Sequence, residues 1–191
     1  MCGGCGEIHY FNPRAVVGCL VESGSRLLMC RRAIEPARGR WTLPAGFLEL
    51  GEGLREGAER ETREEALAQV DVGEPHAMFE LLHIGQIYVL YRARLREPGG
   101  GAPAFGVGEE SLEVALFEPE ALPMDELAFP VIHFALELYR EDLALGRSRL
   151  HQGALHWTGE GSRFDPKRYE LRNHLPLELG SASNSDSPPR G

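Results

Sequence analysis

Three acidic residues, Glu61, Glu64 and Glu65, stand close together in the stretch RETREEALAQV, which begins at Arg60. If this stretch is helical, the three carboxylates occupy positions i, i+3 and i+4 and share one face of the helix. Like charges at this spacing destabilise an isolated helix by about 0.2–0.5 kcal/mol per pair. Clustered carboxylates are also the oxygen ligands that Mg²⁺ prefers. A divalent cation bound at this face would offset the repulsion among the three carboxylates.

A glycine-rich stretch, GFLELGEG, precedes the acidic residues and contains Glu52. Glycines let the backbone of such a loop approach a metal or a phosphate closely, and Glu52 could fold back to the same place. A site of this kind suits the metal-assisted hydrolysis of a phosphoric anhydride. The cation neutralises the phosphates, water is activated, and a carboxylate accepts its proton.

An alternative interpretation is a charged helix in solvent, because this stretch also contains ion pairs at the i, i+4 spacing. These pairs are Glu56–Arg60, Glu59–Arg63 and Arg60–Glu64. The helix alone favours this alternative. A solvated helix does not explain the glycines or Glu52, so the preceding loop shifts the balance towards a site.

The overall composition restricts the classes of partner. The chain has 191 residues, which fits one domain, and its formal net charge is −9. Without a block of Lys and Arg residues we expect no nucleic-acid partner, and without a long apolar run we expect no membrane span. The start, MCGGCGEIHY, lacks the features of a secretory signal, and four cysteines do not suggest a disulfide framework. We therefore expect a reducing, cytoplasmic location; a plastid location would need a transit peptide, and none is visible.

The elements that must position the acidic residues follow from hydrophobic patterns and turn residues. A hairpin is predicted from Ala15–Glu22 and Arg26–Arg32 around SGS, followed by a structured loop and a helix from about Leu54 to Leu67. Small residues Ala58, Thr62 and Ala66 give this helix a thin face for packing on a sheet. Further predicted elements are strands at AMFELLHI, QIYVLYRARL and LEVALFE, a flexible loop at REPGGGAPAFGVGEE, a helix at VIHFALELYREDLAL and a last strand at RLHQGALHW.

The fixed spacing of these residues resembles the signature of the Nudix hydrolases: Gly46, five residues, Glu52, seven residues, then RETREE. The resemblance implies an α/β fold, an α/β/α sandwich with a mixed β-sheet, and a divalent-metal enzyme that cleaves nucleoside diphosphates linked to another moiety. It implies that Glu61, Glu64 and Glu65 bind Mg²⁺ or Mn²⁺ and that Gly46 lies beside the metal. Glu64, Glu65, Arg60 and Glu52 would form the catalytic set, with Arg60 paired to Glu52.

One position departs from the family pattern. The family usually has Gly two residues after the last Glu of the motif, where this chain has Leu67. Gly at a helix end adopts the left-handed conformation, whereas Leu favours continuing the helix. We therefore expect the loop that follows the helix to differ from the family.

A broader similarity, from Cys2 to Trp157, is to a branch that includes plant plastid FAD pyrophosphohydrolases and related bacterial proteins. It implies hydrolysis of FAD to FMN and AMP, with ADP-ribose as the competing substrate. The motif expected of NADH pyrophosphatases is absent after the helix. A nucleotide-sensing module without turnover is the alternative from another class, and the intact carboxylate set argues against it. The resemblance implies a small nucleotide as the partner and is compatible with a homodimer.

Several residues are candidates for contacting the substrate. Glu110 or Glu113, in GEESLE, could reach the metal cluster, or belong to a charged turn. Arg32 or its neighbour Arg31 could bind phosphate, since guanidinium matches it bidentately. Aromatic side chains that could stack on adenine or flavin, although each type is more often found in a core, are Trp41, Phe79, Tyr88 and Phe105.

The CxxC pair, Cys2 and Cys5, suggests part of a zinc site. A structural Zn²⁺ needs four ligands; His9 could be a third, and a fourth is missing, which favours a truncated or degenerate ribbon. We predict three segments: residues 1–12 as this CxxC segment, 13–158 as the hydrolase domain, and 159–191 as a C-terminal extension. The last residues, GSASNSDSPPRG, are predicted to be disordered.

Overall fold

The computed structural model describes residues 3–6, 8, 10, 12–97 and 104–179. Within them, a mixed sheet of nine strands lies between two α-helices, which confirms the predicted α/β sandwich. The strands are β1 (Arg14–Ser23), β2 (Arg26–Arg32), β3 (Trp41–Thr42), β4 (Ala45–Phe47), β5 (Val70–Leu81), β6 (Gln86–Leu95), β7 (Ser111–Phe117), β8 (Arg149–Trp157) and β9 (Tyr169–Glu178); the helices are α1 (Leu54–Ala66) and α2 (Pro130–Leu145).

The sheet runs in the order β3-β2-β1-β6-β5-β8-β9, with β4 paired to β1 and β7 paired to β2. Two neighbouring pairs are parallel, β1 with β6 and β5 with β8, and the other pairs are antiparallel. Because β1 and β6 are parallel, the corresponding ends of these two strands lie at the same edge of the sheet, next to the short strand β4. This edge is where α1 and its glutamates are attached.

Alternate residues of the strands face two separate cores. On one face, Val17 and Cys19 of β1 pack with Ala58 and Ala66 of α1. On the other face, Leu20 of β1 belongs to the cluster that includes the buried side of α2. The predicted thin face of α1 is confirmed, since Ala58, Thr62 and Ala66 are fully buried. Small side chains bring this helix close to β1, and Cys19 Sγ lies 3.5 Å from the Ala58 carbonyl oxygen.

Two strand predictions need correction. Strand β5 begins at Val70, well before AMFELLHI, and its pairing with β6 shifts register on both sides of Pro75. That irregularity breaks the alternation that would have revealed the longer strand. Strand β8 is also not the last, because β9 pairs with it in antiparallel register. Most of β9 is exposed at the sheet edge, so it lacks the apolar alternation that identifies a strand.

Helix α1 ends at Ala66, and Leu67 takes up the left-handed conformation with φ 48° and ψ 28°. The expectation that Leu67 would continue the helix is therefore wrong. The backbone N–H groups of Gly106 and Gly108 donate to the carbonyl oxygens of Ala66 (2.7 Å) and Glu65 (3.1 Å). These bonds satisfy carbonyls that a helix end leaves unpaired. Residues 104–110 of the predicted flexible loop are thus docked on α1, while residues 98–103 lie outside the described range.

Neither α-helix in the described part of the chain is long and apolar enough to cross a membrane. The predicted disordered end, from Gly180 onward, lies outside the described residues.

Candidate active site

Arg60 is the centre of the acidic cluster on α1. Its Nε and Nη2 atoms donate to both carboxylate oxygens of Glu52, at 3.0 and 2.8 Å, and Nη1 donates to Glu61 at 2.8 Å and Glu64 at 3.1 Å. Nη2 also donates to the Phe47 carbonyl oxygen at 3.0 Å. One guanidinium therefore joins the helix to the loop before it and lies between carboxylates that would otherwise repel one another.

Glu52 is fixed from two sides. Besides the bonds from Arg60, its Oε1 accepts a hydrogen bond from the Glu49 backbone N–H at 2.7 Å. The bonds from Arg60, and then the one from Glu49, hold the pKa of Glu52 at about 2. Glu52 is thus ionised at neutral pH and occupied by its partners, which suits a residue that positions Arg60.

Gly46 leaves space for the carboxylate of Glu61. A Cβ atom built on Gly46 would overlap all three atoms of that carboxylate group, so the approach requires glycine. The pKa of Glu61 is raised chiefly by burial, and the hydrogen bond and charge of Arg60 oppose the rise. Strand β4 holds Gly46 opposite Val17 of β1, and this pairing fixes the glycine beside α1.

Glu65 is the carboxylate of the motif that forms no ion pair with Arg60 in the part of the chain that the structure describes. Its side chain is buried, with 5% of the residue exposed, and Oε2 has no hydrogen-bond partner among the described residues. Burial, followed by the charge of Glu61, raises the pKa of Glu65 to about 8, although Arg32 and the backbone of Ala45 oppose the rise. An ionised carboxylate that is buried without a partner is costly, and a bound cation would offset that cost. These donors fit a hard divalent cation held by Glu61, Glu64 and Glu65.

The docked segment after α1 brings Glu110 to the same cluster. Its charge contributes to the raised pKa of both Glu61 and Glu65, and its carbonyl oxygen accepts from Ala33 N–H at 2.7 Å. Glu113, the other candidate, pairs with Arg31 at 3.5 Å on the exposed side of β2 and β7. The fold therefore brings Glu110, not Glu113, to the carboxylate cluster.

A cavity of about 1030 Å³ opens beside the cluster. One end is charged, with Arg32, Arg60, Arg63, Glu61, Glu64, Glu65, Glu109 and Glu110. The other end is mostly aromatic and aliphatic, with Leu81, His83, Ile84, Tyr88, Phe129, Arg163, Phe164 and Tyr169. Its volume is at the upper limit of typical ligand cavities, about 300–1,000 Å³. The arrangement suits an elongated ligand that is anionic at one end and apolar at the other.

Arg32 lies at the junction of the two ends. Its Nε donates to the Pro36 carbonyl oxygen at 2.9 Å, and its guanidinium carbon is 5.0 Å from the centre of the Phe129 ring. No carboxylate lies within ion-pair distance of Arg32 in the part of the chain that the structure describes. The guanidinium is therefore available to an anion in the cavity. Arg31 is less suitable, since it is engaged by Glu113 and by the Gly39 carbonyl.

Trp41, predicted to contact substrate, does not line the cavity. It is 6% exposed and packs edge-on against Phe117 with ring centres 5.0 Å apart, inside the core on the α2 face. Phe79 is fully buried in that core, and Phe105 packs on the other one. Tyr88 is the one of the four predicted aromatic residues that lines the cavity.

Other aromatic and basic residues of the cavity were not predicted. Phe129 precedes α2, and Arg163, Phe164 and Tyr169 follow β8, in the stretch where periodicity is weak. The run SRFDPKRY contains both aromatic and cationic side chains, and this combination is the feature of the sequence that could have indicated a ligand-binding segment.

The structure leaves the N-terminal zinc prediction untested. Cys2 and His9 lie outside the described residues, and Cys5 is exposed. Zinc binding by this segment stays a prediction.

Comparisons with known proteins agree with this geometry. A model of the NUDIX domain matches residues 12–138. The crystal structure of a NUDIX hydrolase from Nitrosomonas europaea is similar to the chain, with 46% sequence identity, a TM-score of 0.75, and coverage of 81% of this chain and 85% of that one.

Curated relatives match shorter parts of their own sequences. An ADP-ribose pyrophosphatase from Methanocaldococcus jannaschii is 36% identical over 56 residues, which are 29% of this chain and 33% of that protein. Human 8-oxo-dGDP phosphatase NUDT18 is 29% identical over 119 residues, which are 62% of this chain and 36% of that protein. The chain therefore spans about a third of the length of the curated relatives it matches.

Proposed function

Because the chain belongs to the NUDIX family, we propose that it is a Mg²⁺- or Mn²⁺-dependent hydrolase of the diphosphate in a nucleotide derivative. The observation that supports this function most strongly is the convergence of Glu61, Glu64 and Glu65 at the charged end of the cavity. Glu61, Glu64 and Glu65 would hold the cation. When bound, the cation neutralises phosphate charge and makes water more acidic.

The chain's own residues have separate roles in this proposal. Arg60 and Glu52 are positioning residues, because their hydrogen bonds fix the orientation of Glu61 and Glu64. Arg32 binds a phosphate of the substrate at the junction of the two ends. Glu64 or Glu65 accepts the proton of the attacking water. The water oxygen bonds to phosphorus, the bridging P–O bond breaks, and the departing phosphate keeps the electron pair.

We propose FAD as the first substrate and ADP-ribose as the second. FAD follows from the similarity along Cys2 to Trp157, and the aromatic end of the cavity suits a flavin or adenine ring. ADP-ribose is supported by the name of the relative from Methanocaldococcus jannaschii. Both contain an ADP moiety, so one cavity could hold either by the same contacts.

A substrate panel tests this proposal. FAD, ADP-ribose, 8-oxo-dGDP, NADH, CoA and diadenosine polyphosphates are incubated with the protein and Mg²⁺, and the products are separated by chromatography. We expect FMN plus AMP from FAD, or ribose 5-phosphate plus AMP from ADP-ribose. NADH as the best substrate would contradict the assignment to the FAD branch.

Glu65→Gln tests the role of the carboxylates and separates an enzyme from a nucleotide sensor. The change replaces the carboxylate that would ionise to hold the cation by a neutral amide, so hydrolysis of FAD and ADP-ribose should fall by about a hundredfold or more. Glu59→Gln is the matched control, because it makes the same change on α1 outside the cavity. If a folded Glu65→Gln variant turns over both substrates at the wild-type rate, the carboxylate assignment is wrong.

A further inference from the structure

The aromatic end of the cavity is partly built by the segment between β8 and β9. Arg163, Phe164 and Tyr169 line the cavity, and all three lie beyond residue 138, where the match to the NUDIX domain ends. The chain therefore adds a wall to the cavity from outside the segment that the family model matches.

Several specific contacts hold this wall in place. Trp157 and Tyr169 are opposite each other in the β8–β9 pair, and the Arg163 guanidinium carbon is 4.8 Å from the centre of the Trp157 ring. The Tyr169 hydroxyl donates to the Arg163 carbonyl oxygen at 3.0 Å. The Tyr169 hydroxyl has only one proton, and this bond uses it. His83 Nε2, which lies 3.1 Å away, must therefore donate to the hydroxyl oxygen. The wall is thus tied to the turn that joins β5 and β6.

Phe129, before α2, and Phe164, in the wall, place two aromatic rings at this end. The Phe129 and Phe164 ring centres are 6.5 Å apart with planes tilted by 42°. Phe164 is 40% exposed, which leaves its ring available to a ligand. Arg163 has no carboxylate within ion-pair distance among the described residues, so its N–H groups are not engaged by an acid. Aromatic faces with a guanidinium beside them suit a planar heteroaromatic ring that has hydrogen-bond acceptors on its edge.

The rings and the carboxylate cluster are joined by a continuous floor. Across the sheet, Phe47 of β4 pairs with Val16 of β1, and Val16 pairs with Tyr88 of β6; all three line the cavity. From β4 to β5 there are three strand spacings, about 14 Å in total. Arg32 rests on the ring of Phe129 between the two ends. A ligand with its phosphates at the glutamates can therefore extend its other end towards Phe129 and Phe164.

We propose that Phe129, Phe164 and Arg163 form a base-binding subsite that selects substrates carrying a planar heteroaromatic base. This proposal deepens the proposed function and rests on it for the position of the diphosphate. Phe164 stacks on the base, and Arg163 donates to its ring nitrogen or carbonyl acceptors. Tyr169 and His83 are positioning residues that hold Arg163 and Phe164 in place.

The test compares Phe164→Ala with the wild-type protein in two measurements. The first is the Kd of AMP by calorimetry, which needs no turnover; the second is KM and kcat for ADP-ribose with Mg²⁺. Loss of a stacking partner should raise both Kd and KM roughly tenfold, with kcat changed less than about twofold. Inhibition by phosphoribosyl diphosphate, which has no base, should be unchanged. Leu175→Ala is the control, since Leu175 is 51% exposed in β9 and does not line the cavity.

The outcomes separate this inference from the proposed function. If the wild-type protein hydrolyses ADP-ribose but Phe164→Ala leaves KM and the Kd of AMP unchanged, the subsite assignment is wrong and the function stands. If no diphosphate is hydrolysed, yet AMP binds and Phe164→Ala weakens it tenfold, the subsite stands and the hydrolase proposal fails. Equal weakening of AMP and phosphoribosyl diphosphate would also overturn the inference, because it would indicate general damage to the cavity. Circular dichroism of each variant establishes that it is folded.

Discussion

At the residue scale, the crowding of three carboxylates on one face of α1 is relieved unequally. Arg60 contacts Glu61 and Glu64, as well as Glu52, so the repulsion among these groups is offset inside the protein. Glu65 has no such contact, is nearly fully buried, and retains an oxygen without a partner in the described residues. This carboxylate oxygen of Glu65 lies where the proposed cation would bind. This asymmetry distinguishes the cluster from a merely solvated charged helix.

Gly46→Ala tests how closely Glu61 must approach the strand. The new Cβ would occupy the position of the Glu61 carboxylate, so that group must move. A misplacement of about 1 Å at a reacting site can cost about a hundredfold in rate. We therefore expect kcat/KM for the best substrate to fall about a hundredfold, measured by steady-state kinetics at saturating Mg²⁺.

Gly53→Ala is the matched control for this change. Gly53 has φ −82° and ψ 160°, which alanine adopts readily, and its nearest neighbour is the flexible Glu56 side chain at 3.3 Å. Near-wild-type activity is expected for Gly53→Ala. A Gly46→Ala enzyme as active as this control would show that the Glu61 position is unimportant.

At the scale of elements, the end of α1 explains how the site acquires Glu110. The N–H groups of Gly106 and Gly108 bind the last carbonyls of α1, and a Cβ on Gly108 would overlap the Glu64 carbonyl oxygen. Only glycine allows this approach at position 108. The docked backbone then places Glu110 beside Glu61 and Glu65. The end of the helix is thus imposed by a distant segment and not by Leu67.

Leu67→Gly should stabilise the protein. A residue other than glycine in the left-handed conformation costs roughly 1–2 kcal/mol, and the greater chain entropy of glycine offsets part of the gain. Because Leu67 is 58% exposed, little packing is lost. We expect the free energy of unfolding to rise by about 1 kcal/mol in urea denaturation. Leu82→Gly is the control, with 59% exposure and no positive φ, and it should not stabilise. The same change in both variants would rule out backbone strain at Leu67.

The sequence was sufficient where local pattern decides the structure. The β1–β2 hairpin, α1 and α2 follow from apolar periodicity and turn residues, and each was predicted within a few residues. Strand β9 was missed because an exposed edge strand has no buried face to reveal it. Trp41 was predicted to contact the substrate but lies in a core, because the sequence alone does not distinguish a core aromatic residue from one that lines a cavity. Tertiary contacts determine these features, and one sequence does not display them.

At the scale of the whole molecule, a buried polar network fastens α2 to the sheet. Asp142 of α2 accepts from Arg149 Nε at 2.6 Å, and its other oxygen is 3.2 Å from His151 Nε2. His151 Nδ1 is in turn 3.0 Å from His174 Nε2 on β9. His76 of β5 lies against the same network, and its Nε2 is 2.9 Å from the Ala135 carbonyl oxygen. Helix α2, on the face of the sheet opposite α1, is therefore held partly by groups whose charge depends on pH.

His76 should make the stability of the whole domain fall below neutral pH. Burial lowers the pKa of His76 to about 4 from the ordinary 6.5. The charges of His151 and Arg92 add to this lowering, whereas the hydrogen bond to the Ala135 carbonyl and the charge of Asp142 oppose it. Between pH 6.5 and about 4, His76 is therefore protonated in the unfolded chain and neutral in the folded chain. The stability that neutral, buried His76 contributes is nearly complete above pH 6.5 and is lost as pH falls towards 4, so about 1.5 kcal/mol should disappear between pH 6.5 and 5. His76→Gln keeps a donor for the Ala135 carbonyl but does not titrate. Urea denaturation of both proteins across this range should give a shallower pH dependence for the variant, whereas parallel curves would assign the acid sensitivity to other groups.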